Sequence, residues 1–145
     1  MSKLNRLQLT DDHLRVSSVL NQDVKQYGKQ NLVDGSPDTC WQTDKGPCQW
    51  LIIKLPHKTR LDEIRIQFQG GFSAKTCVVK DLSHHTGMGE KEVETFWPDD
   101  NNSLQVFPLL SQPVVGQFKI TFEESNDMFG RMVVYNLELY GTIAA

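Results

Sequence analysis

The chain is poor in cysteine, has no long apolar run and carries no large excess of either charge. Three cysteines, Cys40, Cys48 and Cys77, are an odd number, so at least one thiol must stay free. That excludes a dense disulfide framework and is expected of a chain that keeps its thiols reduced inside the cell. Together with His84 and His85, these cysteines form no Cys-x2-Cys pair or other short ligand spacing, so a zinc site is not expected. Cys40 and Cys77 lie in strand-like runs and read as small core hydrophobes. The longest apolar runs, such as Trp50 to Ile53, are far too short to span a bilayer. Met1 to Arg15 is polar and lacks the apolar centre of a secretion signal, so a soluble chain that is not exported is expected. Formal net charge is −3 with acids and bases interspersed. A nucleic-acid scaffold would show a basic stripe, so direct nucleic-acid binding is not expected, and neither is a membrane partner.

Catalytic signatures are also missing. No Gly-x-Ser-x-Gly elbow, phosphate-cradling loop or His-Glu-x-x-His occurs. The neighbouring carboxylates Asp11-Asp12, Asp99-Asp100 and Glu123-Glu124 point apart in strands or turns, so they read as solvated, not as an acid–base pair. The chain is expected not to be an enzyme. Asn101-Asn102-Ser103 matches a glycosylation sequon but reads as turn chemistry in an intracellular chain.

Alternation with period two dominates what is present. Ile64, Ile66 and Phe68 point one way while Arg65 and Gln67 point the other. Phe118, Ile120 and Phe122 repeat the pattern, as do Val133, Tyr135, Leu137 and Leu139. Val16 to Leu20, Gln49 to Leu55, Thr76 to Lys80, Glu92 to Trp97 and Leu104 to Phe107 are further strand candidates. Asp34-Gly35-Ser36-Pro37, Lys45-Gly46-Pro47, Gly70-Gly71, Gly87-Met88-Gly89 and Pro98 to Asn102 break regular structure between them. About eight short strands with regular turns predict an all-β antiparallel sandwich. At 145 residues, one domain is expected, spanning 16–141 after an N-terminal extension of 1–15. A monomer is expected.

Asn31 to Trp41 holds an Asp-Gly turn leading to Thr39-Cys40-Trp41, and Gln49-Trp50 opens a strand ending in Leu55. With Ile64-Arg65-Ile66 and the closing Leu137 to Gly141, this resembles the discoidin-like family of coagulation-factor C-type, galactose-binding-like jelly rolls. The resemblance covers roughly residues 16 to 141. It implies that Trp41 and Trp50 are largely buried plugs at one end of the sandwich. It also implies a structural calcium or sodium site, built from oxygens of Asn31, Asp34, Ser36 and Thr39 with Tyr135 and Asn136. The family commonly has a Glu where Asn136 stands, so any calcium here is expected to be weak. The alternative is an Asp34 turn that satisfies itself. The family's terminal cysteine clamp is absent.

Three loop strings, Gln67 to Ser73, Asp99 to Gln105 and Phe129 to Tyr135, resemble an intracellular group of the family that associates with a nuclear receptor. That resemblance implies a nuclear co-regulator, with the cytoplasm as a second location, that binds an orphan nuclear receptor and hinders its attachment to DNA. A lectin-like carbohydrate module and a docking subunit of a larger complex stand as alternatives. The partner-binding residues are expected at Gly70, Gly71 and Phe72 and at Phe129, Gly130 and Arg131, since Phe, Met and Arg are enriched at interfaces. Phe72 and Phe129 could instead fold inward and cap the core.

Overall fold

The computed structural model describes residues 4–83 and 90–144; the Gly87-Met88-Gly89 turn and both His84 and His85 lie outside them. Eight strands are present: β1 (Leu14–Val16), β2 (Trp41–Gln42), β3 (Cys48–Phe68), β4 (Ala74–Asp81), β5 (Lys91–Phe96), β6 (Leu104–Pro108), β7 (Val114–Ser125) and β8 (Val133–Ile143). Every pairing among them is antiparallel. The only α-helix among the described residues is one turn, Val24–Tyr27.

The sequence suggests two strands across Gln49 to Phe68, where the molecule has one continuous 21-residue strand, β3. Pro56 explains both readings. It lacks a backbone donor, so regular pairing breaks around it, and the ladder with β7 slips between Lys54 and Thr59. Pro56, His57 and Lys58 stand exposed at this bend. Before it, β3 pairs with β1 and β7; after it, the β7 ladder runs only through Thr59 and Arg60 and the pairing passes to β6 and β8. One strand thus passes from one layer to the other. A slip at Asp62 in the β8 ladder then lets Leu61 and Ile64 both face inward, although they are an odd number of residues apart.

The core lies between the layers. Phe122 of β7 meets Trp41 and Phe68 of the opposite layer at ring-centroid distances of 6.0 and 6.1 Å. At the β5–β6 edge, Phe96 and Phe107 stack at 4.2 Å. Such cross-layer aromatic pairs add stabilisation beyond the area they bury.

The two tryptophans part company. Trp41 is fully buried and its indole N–H donates to the Ser18 carbonyl at 2.9 Å. Trp50 is only half-buried, against expectation. Its neighbours Gln49 and Leu51 take the inward positions, so alternation turns Trp50 to the outer face, where the Lys119 ammonium sits 5.4 Å from its ring. Gln49, a polar residue in an apolar slot, is satisfied there: Ser17 and Ser18 hydroxyls donate to its Oε1, and its Nε2 donates to the Asp44 carbonyl.

Part of the segment read as an N-terminal extension is bonded into the sheet. The Leu7 N–H donates to the Leu139 carbonyl, the Gly141 N–H donates to the Asn5 carbonyl, and Leu14 of β1 is fully buried.

Candidate functional site

Four loops gather at the end of the sandwich away from the Pro56 bend: 43–47, 69–73, 97–103 and 126–132. Hydrogen bonds between them fix the gathering. The Gly46 N–H donates to the Phe129 carbonyl at 3.1 Å and the Val133 N–H to the Phe72 carbonyl at 3.1 Å. The Met132 N–H donates to the Thr43 hydroxyl at 2.9 Å. Asn126 donates through its backbone to the Ser73 carbonyl and through its side chain to the Ser73 hydroxyl.

The predicted partner-binding residues come together here. Arg131 lies between two rings, its guanidinium carbon 5.5 Å from the Phe72 centroid and 5.4 Å from that of Phe129. Cation–π attraction favours this arrangement. Asp127 orients the guanidinium in a two-pronged contact, accepting from Nε at 2.9 Å and from a terminal nitrogen at 3.2 Å. It also accepts from the Arg131 backbone N–H. These bonds hold the Asp127 carboxyl below its usual range, the Arg131 side-chain bond first, and the same bond raises Arg131. Phe72 is half-buried, whereas Phe129 is 53% and Met128 87% exposed. Of the two readings left open, Phe129 faces solvent and Phe72 supports Arg131 from below.

Gly130 is required by its position. Its φ is +80°, and a β-carbon there would overlap the Gly46 carbonyl oxygen and sit 2.9 Å from the Gly46 carbonyl carbon. Gly70 and Gly71 are held from a fourth loop. Their N–H groups donate to Asn102 Oδ1 at 2.7 Å and Asp100 Oδ1 at 2.8 Å. Asp100 also accepts from the Ser73 hydroxyl, and that bond, followed by the one from Gly71, lowers its carboxyl from the ordinary value. Asp100, Asn102, Asp127 and Gly46 are supporting residues that sequence reasoning does not assign. Except for Asp127, which bonds Arg131 four residues on, their roles rest on contacts across long separations, and only the turn composition of their strings points to them.

Of the expected metal ligands, Ser36, Tyr135 and Asn136 share one cleft, and Asn31, Asp34 and Thr39 do not line it. Gly35 and Ser36 line it opposite Tyr135, Asn136 and Glu138. The oxygens of Asp34 and Ser36, however, already accept local bonds. Asp34 accepts from the Ser36 N–H at 3.0 Å and from the Thr39 hydroxyl at 2.6 Å, one bond to each carboxylate oxygen. The Ser36 hydroxyl accepts from Asp38 N–H. Asn31 is buried and its amide donates to the Gln26 and Cys40 carbonyls. Tyr135 donates to Gln69, and Asn136 to Glu138. Gly35 adopts φ +72°, as the Asp34 turn needs. A hard cation at Asp34 would compete with the bonds that tie its turn, whereas Asn31, Tyr135 and Asn136 act as donors in their bonds and keep their oxygens as acceptors. The three thiols are dispersed in environment: Cys40 half-buried, Cys48 exposed and Cys77 buried.

A family model described as Sad1 / UNC-like C-terminal matches residues 15–143. The chain belongs to that family. A relative from Danio rerio named nuclear receptor 2C2-associated protein is 46% identical over 127 residues, covering 88% of this chain and 89% of its own. Among solved structures, an F5/8 type C domain from Bacteroides fragilis superposes with a TM-score of 0.75 at 15% identity, covering 99% of this chain and all of the other. A family 32 carbohydrate-binding module of Clostridium perfringens NanJ, solved with galactose, gives 0.73 at 17% identity, covering 95% and 99%. At such identities these structures establish the shared discoidin-like jelly-roll fold.

Proposed function

We propose that the chain is a non-enzymatic protein-binding module that associates with an orphan nuclear receptor of the 2C2 type, in the nucleus, and lowers its activity by hindering DNA attachment. The relatives' name supplies the partner class. The observation that carries the reading is the Phe72–Arg131–Phe129 stack, which presents Met128 and Phe129 to solvent on a loop braced by Asp127 and by the Gly46–Gly130 contact. An exposed aromatic ring on a braced loop loses little entropy when a partner covers it, and Met128 beside it adds adaptable apolar surface.

The test is a titration of purified receptor against the wild-type chain and Phe129→Ala. The expected loss is ~1–3 kcal/mol of binding with the melting temperature nearly unchanged, because the ring is more than half exposed. A folded Phe129→Ala protein that binds like wild type would remove this face from consideration. In a gel-shift assay, receptor bound to its DNA element should be displaced by wild type and spared by the variant.

A further inference from the structure

A second cleft lies at the opposite end of the sandwich, where β3 bends. It holds about 300 Å³ and is lined by Lys54 to Lys58, Leu82, Ser83, Gly116 and Gln117. Lys54, His57 and Lys58 are exposed on its rim, and no carboxylate among the described residues lines it. Among the described residues none of these three side chains has an ion-pair or hydrogen-bond partner, whereas Arg60, Arg65, Lys80, Lys119 and Arg131 are each matched with an acid. The two unneutralised lysine ammoniums, Lys54 and Lys58, raise the local positive potential and attract an anion.

Two further features shape the space. Gly116 has no side chain, and a β-carbon there would meet Ser83 Oγ at 3.8 Å and Lys58 Cγ at 3.9 Å, which is ordinary contact. A β-carbon would therefore fit, on the side of the cleft where Ser83 and Lys58 lie. The Ser83 hydroxyl is fixed at the floor by accepting from the N–H groups of Gly116 at 2.8 Å and Gln117 at 3.1 Å. Its own proton has only a long contact of 3.3 Å, to the Gln117 carbonyl, and can turn to a better acceptor.

We propose that this cleft binds a phosphate group, as the free ion or as the monoester of a phosphorylated side chain. Lysine ammoniums serve phosphate as point charges, and a hydroxyl donor completes the set. Leu55, Pro56 and Leu82 give the wall beside it an apolar character. A free phosphate and a phosphorylated side chain share the recognised chemistry and differ in whether that wall is used. The site is separate from the loop end and does not depend on the receptor reading.

Calorimetry at pH 7 on the full chain tests it, with inorganic phosphate, a phosphoserine tripeptide and the same peptide unphosphorylated. The expected dissociation constant for phosphate is on the order of 1 mM, with the unphosphorylated peptide silent. Lys54→Gln and Lys58→Gln should each weaken binding at least fivefold. Gly116→Val, which keeps every charge but fills the space, should weaken it at least tenfold. The lysines are exposed, so their variants remain decisive even if Gly116→Val is poorly folded. A phosphopeptide at least tenfold tighter than phosphate identifies a phosphorylated protein segment as the ligand; equal affinity identifies the free ion. Absence of binding by both, or lysine variants that bind like wild type, overturns the proposal.

Discussion

Gly130→Ala is the sharpest test of the loop end, because a single methyl group acts on two loops at once. Holding alanine at φ +80° costs about 1–2 kcal/mol. The added carbon also overlaps the Gly46 carbonyl, so the 43–47 and 126–132 loops must separate. Separation breaks the hydrogen bond from Gly46 N–H to the Phe129 carbonyl, worth about 1 kcal/mol. The total is on the order of 3 kcal/mol. For a domain of this size that corresponds to a melting temperature lower by roughly 10 °C if the loops are integral to the cooperative unit. If they open locally, less of the cost appears in the melt and more appears as lost receptor affinity, because the loop that carries Phe129 and Arg131 leaves its seat on the 43–47 loop. Thermal denaturation by circular dichroism, paired with a receptor titration, reads both. Gly130→Ala with a melting temperature within about 2 °C of wild type and undiminished receptor binding would refute the claim that this contact organises the site.

The two tryptophans should differ on truncation. Trp41→Ala should cost ~3–5 kcal/mol in urea unfolding, and the outward-facing Trp50→Ala about 1–2 kcal/mol; equal losses would contradict the assigned strand parity. Thiol titration with an aromatic disulfide should modify Cys48 promptly and Cys77 only on unfolding, since burial pushes the Cys77 thiol well above its ordinary value; fast reaction of Cys77 in native protein would contradict its burial. Calcium at about 5 mM should stabilise by no more than ~1 kcal/mol, the gain for a site no tighter than millimolar, and a larger rise in melting temperature would show that Asp34 gives up its turn bonds to the ion.

Strand content was legible because one face of each strand meets the core, and that asymmetry writes a period of two. Ile64, Ile66 and Phe68 are all fully buried, as are Phe118 and Ile120, with Phe122 nearly so. What periodicity cannot convey is the phase of a lone large residue. Trp50 is apolar and sits beside Leu51, so a hydrophobicity argument turns it inward. The actual phase is set by Gln49, whose inward amide is accommodated only because Ser17 and Ser18 lie across from it. The Pro56 bend was equally hidden, since proline signals an end to regular pairing and not whether the same strand resumes beyond it.

The site shows the same division between composition and contact. Phe72, Phe129 and Arg131 were recognisable as residue types that interfaces favour, in loops where glycine allows tight turns. That they meet follows from the sandwich itself, because two adjacent strand connections emerge at one end. The braces were not recognisable. Asp100 reads as a solvated turn acid, yet it joins residues 29 positions away by fixing Gly71. Its carboxylate can hold Gly71 and Ser73 together only while the 97–103 loop stays anchored, and Gln105 provides that anchor by accepting from the Asp99 N–H and donating to the Asp99 carbonyl at 2.7 Å each. The aromatic face is therefore set by polar residues that never touch the rings. Changes to those residues should alter partner affinity through geometry, with the exposed apolar surface left in place.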